Sequence, residues 1–153
     1  MRKFTLGLSA ATALGTVLSC APLASAAPPI TLVARVTQTG AIGDGTSQGS
    51  GLVFAEDIYR DNQKVGRAGV TCTIVRTDPI GPTDSSRDMQ CLGTFILGGG
   101  DITGQGILTF TQAPTDFTLA ITGGTGSYYN ASGTIHGHVL NDTDAEITIT
   151  LNG

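Results

Sequence analysis

One acidic pair lies in an otherwise apolar, strand-like stretch, LVFAEDI, where a carboxyl group could do chemistry. Strict two-residue alternation places Glu56 on the same face as Leu52, Phe54 and Ile58. Burying a carboxylate among hydrocarbon is costly, so we expect the pKa of Glu56 to rise. Such an acid can pass a proton to a bound molecule or stabilise a developing positive charge. The sequence therefore predicts Glu56 as a catalytic residue and Phe54 as a ligand contact.

Asp57 points to the opposite face, together with Ala55 and Tyr59, if the strand is regular. A shift of register by one residue exchanges the two faces, and Asp57 would then be the inward acid. The sequence does not choose between these registers, and a solvated carboxylate near a strand end is the alternative for each residue. Glu56 and Asp57 are therefore both catalytic candidates, with Phe54 and Tyr59 as the matching ligand-binding candidates.

The stretch ITGGTGSYYNASG, residues 121–133, raises the question of nucleotide binding. A dinucleotide fingerprint requires a third glycine, a following helix and a more distant acidic residue. Tyr129 occupies the place of the third glycine, and the next residues, GTIHGHVL, alternate like a strand. The pattern favours a glycine corner between two strands. Within it, Tyr128 is a candidate to line a ligand-binding mouth, the alternative being an aromatic plug beneath the corner.

His136 and His138 lie two residues apart, on one face of a strand-like run. Two imidazoles could bind a ligand, act as acid and base, or begin a metal site. A third metal ligand is not evident, so we predict no metal and assign the pair to a polar lumen or a solvent-facing surface. NAS at Asn130 and NDT at Asn141 match the N-glycosylation pattern, which turns also produce.

The first 26 residues have the features of a secretory signal peptide. A basic start precedes an apolar stretch, and the small residues ASA end at Ala26. Lipoprotein processing at Cys20 is the less favoured alternative. We therefore predict a secreted, extracellular protein with one domain over residues 27–153 and no membrane contact after cleavage.

Cys72 and Cys91 remain in the mature chain, and an even pair in a secreted protein favours a disulfide. A hairpin centred near Gly81 and Pro82 would bring the two cysteines opposite each other. The whole chain carries 12 acidic and 8 basic residues, a net charge of −4, without a basic cluster. We therefore do not expect a nucleic-acid partner.

Short β-rich runs separated by Gly, Asp, Asn and Pro fill the mature chain, without helical periodicity. Short connections such as RDNQKVG and GGGD suit antiparallel neighbours, and closure would remove exposed sheet edges. The prediction is an all-β fold, a closed eight-stranded antiparallel β-barrel, with a sandwich as the alternative. The predicted strands are Ile30–Gln38, Ser50–Tyr59, Arg67–Val75, Met89–Leu97, Gly106–Thr111, Asp116–Thr122, Gly133–Leu140 and Asp144–Leu151.

Two segments in this order resemble the allene oxide cyclases and the dirigent proteins. The glycine corner is similar to their late signature, and VFAEDIYRDNQKVGRAG, residues 53–69, contains VGRAG, similar to the dirigent VGRAQG. With its bacterial-type signal peptide, the chain resembles the bacterial allene-oxide-cyclase-barrel-like proteins over nearly its whole mature length. The resemblance implies a calycin-like barrel, a homotrimer and an apolar lumen, with neither a metal nor an organic cofactor.

The same resemblance implies that the lumen binds a small hydrophobic or phenolic intermediate and promotes its cyclisation or stereoselective coupling. Glu56 matches the functional glutamate of the cyclases by its spacing from Arg60, although Ile58 replaces their nearby asparagine. Ser132 replaces an arginine of the dirigent proteins, which weakens the case for radical coupling. Catalysis itself is left open, because a non-catalytic extracellular barrel with a ligand-binding or structural role is the alternative.

Overall fold

Eight β-strands account for most of the residues that the computed structural model describes, namely 27–79, 85–111 and 116–152. The predicted signal peptide lies outside these ranges. A single 3-10 turn, Gly126–Tyr128, lies between the sixth and seventh strands. Within the described ranges, no helix has the length and apolar character needed to cross a membrane. The strands are β1 (Ile30–Ile42), β2 (Gly51–Arg60), β3 (Gln63–Pro79), β4 (Ser85–Leu97), β5 (Gly100–Phe110), β6 (Asp116–Gly124), β7 (Gly133–Val139) and β8 (Asp144–Leu151).

The strands form a closed barrel in which each pairs with its neighbours in sequence. All of these pairs are antiparallel, and β1 completes the ring by pairing with β8. The closing contact joins Ile30–Arg35 to Asp144–Ile149. Closure gives β1 and β8 a hydrogen-bonding partner on both sides, whereas an open sandwich would leave edge strands unpaired on one side. The predicted closed antiparallel barrel is confirmed, and the sandwich alternative is wrong.

The hairpin between β2 and β3 turns on two residues, Asp61 and Asn62, whose φ angles are 50° and 61°. A two-residue turn with positive φ at both positions matches the twist of antiparallel strands, and Asn and Asp tolerate that conformation. The connection is therefore shorter than RDNQKVG suggests. As a result, β3 begins at Gln63 rather than at the predicted Arg67.

Cys72 of β3 and Cys91 of β4 lie directly opposite each other in the ladder and form a disulfide, as predicted. Both residues are buried in the barrel core. The apex predicted for this hairpin, near Gly81 and Pro82, lies outside the described residues. Because the disulfide joins two neighbouring strands on their inner face, it forms part of the wall of the barrel interior.

Large aliphatic side chains fill the end of the barrel at which β1 begins, which we call the packed end. Five strands each contribute one of these side chains to a single layer, from a position two residues away from the strand end that lies at the packed end. Full burial of such a side chain is worth about 1.5–3 kcal/mol. Because this layer fills the interior at its end, the cavity inside the described barrel lies towards the opposite end, which we call the open end. The layer consists of Leu32, Ile58, Ile102, Ile135 and Ile149, each 0–1% exposed.

The glycine corner between β6 and β7 is attached to the β4–β5 turn at the packed end. The Thr125 N–H donates to the Asp101 carbonyl oxygen at 2.9 Å, and the Ser127 N–H donates to that of Gly99 at 2.8 Å. Gly126 has a φ of 59°, and a Cβ there would lie 2.4 Å from the Gly99 oxygen, so only glycine fits. A strand follows the corner, so the helix that a dinucleotide fingerprint requires is not formed.

Candidate functional site

An apolar cavity of about 190 Å³ lies inside the barrel towards its open end. All eight strands contribute to its wall, and the β7–β8 turn forms part of its rim. A dry cavity of about 150 Å³ in another protein holds benzene, so this volume suits a single ring with small substituents. The lining consists of Ala34, Val36, Phe54, Glu56, Val70, Cys72, Cys91, Phe95, Leu108, Phe110, Phe117, Leu119, Val139, Ala145, Ile147 and the turn Asn141–Asp144.

Glycines on the inner face keep this cavity open by letting neighbouring side chains lie close to the barrel wall. A Cβ added at Gly104 would lie 2.9 Å from the terminal Cδ1 of Ile135. A Cβ at Gly137 would lie 2.1 Å from Cζ of the Phe117 ring, which it would overlap. These side chains occupy the space that a second side chain would take, so less of their volume projects into the centre of the barrel.

Glu56 lies on β2, and its side chain lines the cavity. In the ladders it is paired with Val36 of β1 and Ala68 of β3, whose side chains have no hydrogen-bond donor. Among the described residues, no hydrogen bond or ion pair to the Glu56 carboxyl is formed. Burial therefore raises the pKa of Glu56 above its ordinary value, without an opposing interaction. The site thus contains an acid that is held towards its neutral form and faces an apolar space.

Asp57 lies on the outer face of the barrel, where one of its carboxylate oxygens is 2.6 Å from Nζ of Lys64. This placement decides the register that the sequence left open: Glu56 is the inward acid and Asp57 the outward one. Phe54 shares the inner face with Glu56 and lines the cavity. Tyr59 is on the Asp57 side, with the Arg35 guanidinium 5.1 Å from its ring centroid, and does not line the cavity.

Tyr128 is remote from the cavity, contrary to the prediction that it lines a ligand-binding mouth. It packs against the core at the packed end and borders a separate surface depression with Arg60, Val65 and Leu97. Its neighbour Tyr129 is 76% exposed. Tyr128 therefore has the role of the aromatic plug that was its alternative.

His136 and His138 lie on the outer face of β7, so the structure does not bring them to the lumen. Nδ1 of His136 is 3.3 Å from the Thr118 hydroxyl, and His138 interacts with Asp116 across the β6–β7 ladder. This hydrogen bond lowers the pKa of Asp116. Within residues 27–79, 85–111 and 116–152, no group of three His, Cys, Asp or Glu side chains is arranged to hold a metal ion. The pair has the solvent-facing role that the sequence left open.

The rim at the β7–β8 turn is polar, but its groups are bonded to one another. Oδ1 of Asn141 accepts the backbone N–H groups of Thr143 and Asp144, both at 2.9 Å. The Val36 N–H donates to the Thr143 oxygen at 2.8 Å, which attaches the turn to β1. Nε of Arg35 donates to Asp144 at 2.9 Å, and this hydrogen bond lowers the pKa of the Asp144 carboxyl. The turn is therefore fixed beside the entrance.

Three aromatic residues of the lumen, Phe95, Phe110 and Phe117, were missed by sequence reasoning. A signal was present, because Phe117 alternates with Leu119 and Ile121 along β6 in FTLAI. Alternation shows only that these residues share a face, and a solid core and a hollow lumen give the same pattern. Together with Phe54, these rings offer flat apolar surfaces around the one ionisable group deep in the described lining.

Known protein structures share this fold, whereas no family profile and no curated sequence matches the chain. A pyocyanin demethylase is 27% identical, with a TM-score of 0.66, and the match covers 80% of this chain and 99% of that one. An exo-specific intermolecular Diels-Alderase is 15% identical, with a TM-score of 0.63 and coverage of 82% and 98%. A nonspecific heme-binding cyclase that catalyses a cycloaddition in neoabyssomicin biosynthesis is 12% identical, with a TM-score of 0.64 and coverage of 82% and 64%.

These similarities support the barrel superfamily that the sequence resemblance indicated. They do not show the allene oxide cyclase or dirigent family itself. At 15% and 12% identity, the two cycloaddition enzymes show that the fold is shared and nothing finer.

Proposed function

We propose that this barrel binds a small, uncharged, apolar or phenolic intermediate in its lumen and promotes its cyclisation or stereoselective coupling, with Glu56 as the proton donor. One observation carries the proposal: the Glu56 carboxyl has no partner among the described residues and faces an apolar cavity. An unpaired buried acid costs stability, and such costs concentrate at functional sites.

In the proposed step, neutral Glu56 gives its proton to a basic atom of the bound molecule. The resulting carboxylate lies next to the positive charge that forms on the ligand and stabilises it electrostatically. The faces of the lumen phenylalanines contribute to the same effect through cation–π attraction. After bond formation or rearrangement, the carboxylate recovers a proton from the product, so the acid is regenerated.

The similar structures support a lumen that acts on small molecules. Their names describe a demethylation of pyocyanin and two cycloaddition activities. Of these, the pyocyanin demethylase has the highest identity, 27%, and matches over nearly its whole length.

The experiment begins with native mass spectrometry of the protein purified from its own host, to identify a retained ligand. Turnover of that ligand is then compared between the wild type, Glu56→Gln and the control Asp57→Asn, which makes the same change on the outer face. General acid catalysis is worth about 100-fold or more, so Glu56→Gln should lose at least that much while Asp57→Asn stays near wild type. Equal turnover and product stereochemistry in all three proteins would remove Glu56 from the mechanism.

A non-catalytic ligand-binding barrel is the second candidate, and the small cavity favours it. At about 190 Å³ the cavity is below the range of typical ligand sites, which begins at about 300 Å³. This candidate predicts that the retained ligand is bound and released unchanged. Product formation by the wild type in the same assay would exclude it.

Secretion and a homotrimer are also part of the proposal. Secretion is supported by the signal-like residues 1–26, and an intact mass that begins at Ala27 would test it. A subunit contact is supported by exposed aliphatic side chains on neighbouring strands, Leu92 of β4 at 54% and Ile107 of β5 at 60% exposure. The same native mass spectrum reports the number of subunits.

A further inference from the structure

The ring of Phe117 lies over Gly137, its direct partner across the β6–β7 ladder. A Cβ at Gly137 would lie 2.1 Å from Cζ, 2.4 Å from Cε1 and 2.5 Å from Cε2 of that ring. The tip of the ring therefore covers the glycine backbone and lies along the wall of the barrel. An aromatic ring over a cross-strand glycine is a known stabilising pair in β-sheets.

On its other side, the β5–β6 ladder ends before it reaches Phe117. β5 pairs with β6 only where Ile102–Gln105 meets Ala120–Gly124. Continuing that register would bring residues 106–109 opposite 116–119, all of them described, yet no ladder joins these two segments. In the described ladders, the Phe117 segment is therefore paired with β7, at the open end of the lumen.

The position of this ring contributes to the width of the lumen, because Phe117 is one of its lining residues. With the ring over Gly137, the cavity measures about 190 Å³, enough for one six-membered ring with small substituents. A wider ligand meets the Phe117 ring, because Phe117 lines the cavity. Removing the ring would expose a glycine, which has no side chain to fill the space.

We infer that Phe117, held in place by Gly137, is a specificity-determining residue that limits the enclosed part of the ligand to a single planar, uncharged ring. This inference rests on the proposed lumen site and narrows its substrate class. The ring lies along the wall only because residue 137 lacks a Cβ. Any side chain there forces Phe117 to move by more than 1 Å, since ordinary contact begins near 3.4 Å and the present separation is 2.1 Å.

The test uses toluene and naphthalene as one-ring and two-ring probes, with affinities measured by calorimetry or by NMR titration of the full mature chain. Phe117→Ala should raise the naphthalene-to-toluene affinity ratio by about tenfold or more, because the second ring then finds buried apolar surface. Phe117→Leu should change the ratio in the same direction by less. Tyr129→Ala is the control for loss of an aromatic ring: Tyr129 is 76% exposed and does not line the cavity, so the ratio should stay within about threefold of wild type.

The converse substitution, Gly137→Ala, should weaken toluene binding by about tenfold or more, because the displaced ring enters the lumen. The double variant Phe117→Ala/Gly137→Ala should regain toluene affinity, since the ring that blocked the lumen is gone. Thermal unfolding of each variant shows that it is folded under the binding conditions. An unchanged ratio in folded Phe117→Ala and Phe117→Leu, an equal change in Tyr129→Ala, or no recovery in the double variant would overturn the inference.

The outcomes also separate this inference from the proposed function. If toluene binds the wild type but the Phe117 variants show no change in ratio, the specificity role fails and the lumen site stands. If toluene and naphthalene bind none of the proteins, the lumen is not a ligand site and both proposals fail. Toluene has no hydrogen-bonding group, so the readout does not depend on proton transfer by Glu56.

Discussion

Replacing Glu56 by glutamine should change how the stability of the barrel depends on pH. The pKa of Glu56 is raised from 4.5 by burial, so the folded protein holds this proton at pH values where the unfolded chain has released it. Between 4.5 and the raised pKa, wild-type stability therefore falls as the pH rises. Glutamine resembles the neutral acid and does not titrate, so the variant lacks this contribution.

The magnitude follows from proton linkage. Within the window between the two pKa values, each pH unit should lower the unfolding free energy of the wild type, relative to Glu56→Gln, by about 1.4 kcal/mol. Below pH 4.5 the difference between the two proteins should be constant. Above the folded-state pKa it should be constant again, with the wild type at its largest disadvantage.

Urea unfolding with the disulfide intact, measured at intervals from pH 3.5 to about 8.5, gives this difference directly. Subtraction cancels groups common to both proteins, including Asp116 and Asp144, whose pKa values are lowered. Asp57→Asn serves as the control, because Asp57 lies outside the lumen beside Lys64. If the wild-type and Glu56→Gln curves run parallel across the whole range, the carboxyl titrates as it does in water. The argument for a buried acid would then be refuted.

Three further outcomes follow from other parts of the structure. Changing Cys72 and Cys91 together to alanine should cost about 3 kcal/mol by the chain-entropy argument for a sequence separation of 19, measured by urea unfolding. Gly133→Ala should lower the melting temperature sharply, because Gly133 has a φ of 138° and a Cβ there would lie 2.0 Å from the Thr150 backbone oxygen. Gly69→Ala is its control and should leave the melting temperature nearly unchanged, because a Cβ at Gly69 would have no atom within 4 Å. His138→Ala should raise the pKa of Asp116 in an NMR titration and leave toluene affinity unchanged, since His138 is on the outer face.

Much of the fold could be predicted because local signals agreed with the tertiary result. Alternating apolar residues between turn residues gave the number and order of the strands, and the hairpin placed Cys72 opposite Cys91. The errors were at strand ends, where residues that continue the pairing were assigned to connections. β5 begins at Gly100 rather than at the predicted Gly106, because pairing with β4 continues through the glycines.

The candidate site was less predictable than the fold. Alternation correctly grouped Phe54 with Glu56 and Asp57 with Tyr59, but it could not exclude a one-residue shift that would exchange the two faces. The two histidines were grouped correctly with each other and lie on the outer face. A strand has two faces, and only packing against other strands distinguishes the inner from the outer one.

The sequence by itself determined three properties. Alternating apolar and polar residues specify eight strands, the β3–β4 hairpin brings Cys72 opposite Cys91, and Glu56 shares a strand face with hydrocarbon side chains. These properties depend on neighbours within one strand or one hairpin. Only the tertiary structure decided that this face is the inner one, that the barrel is packed at one end and hollow at the other, and that Phe117 lies over Gly137. Those results depend on side chains that meet across the barrel or between strands, and no local pattern encodes how much space they leave.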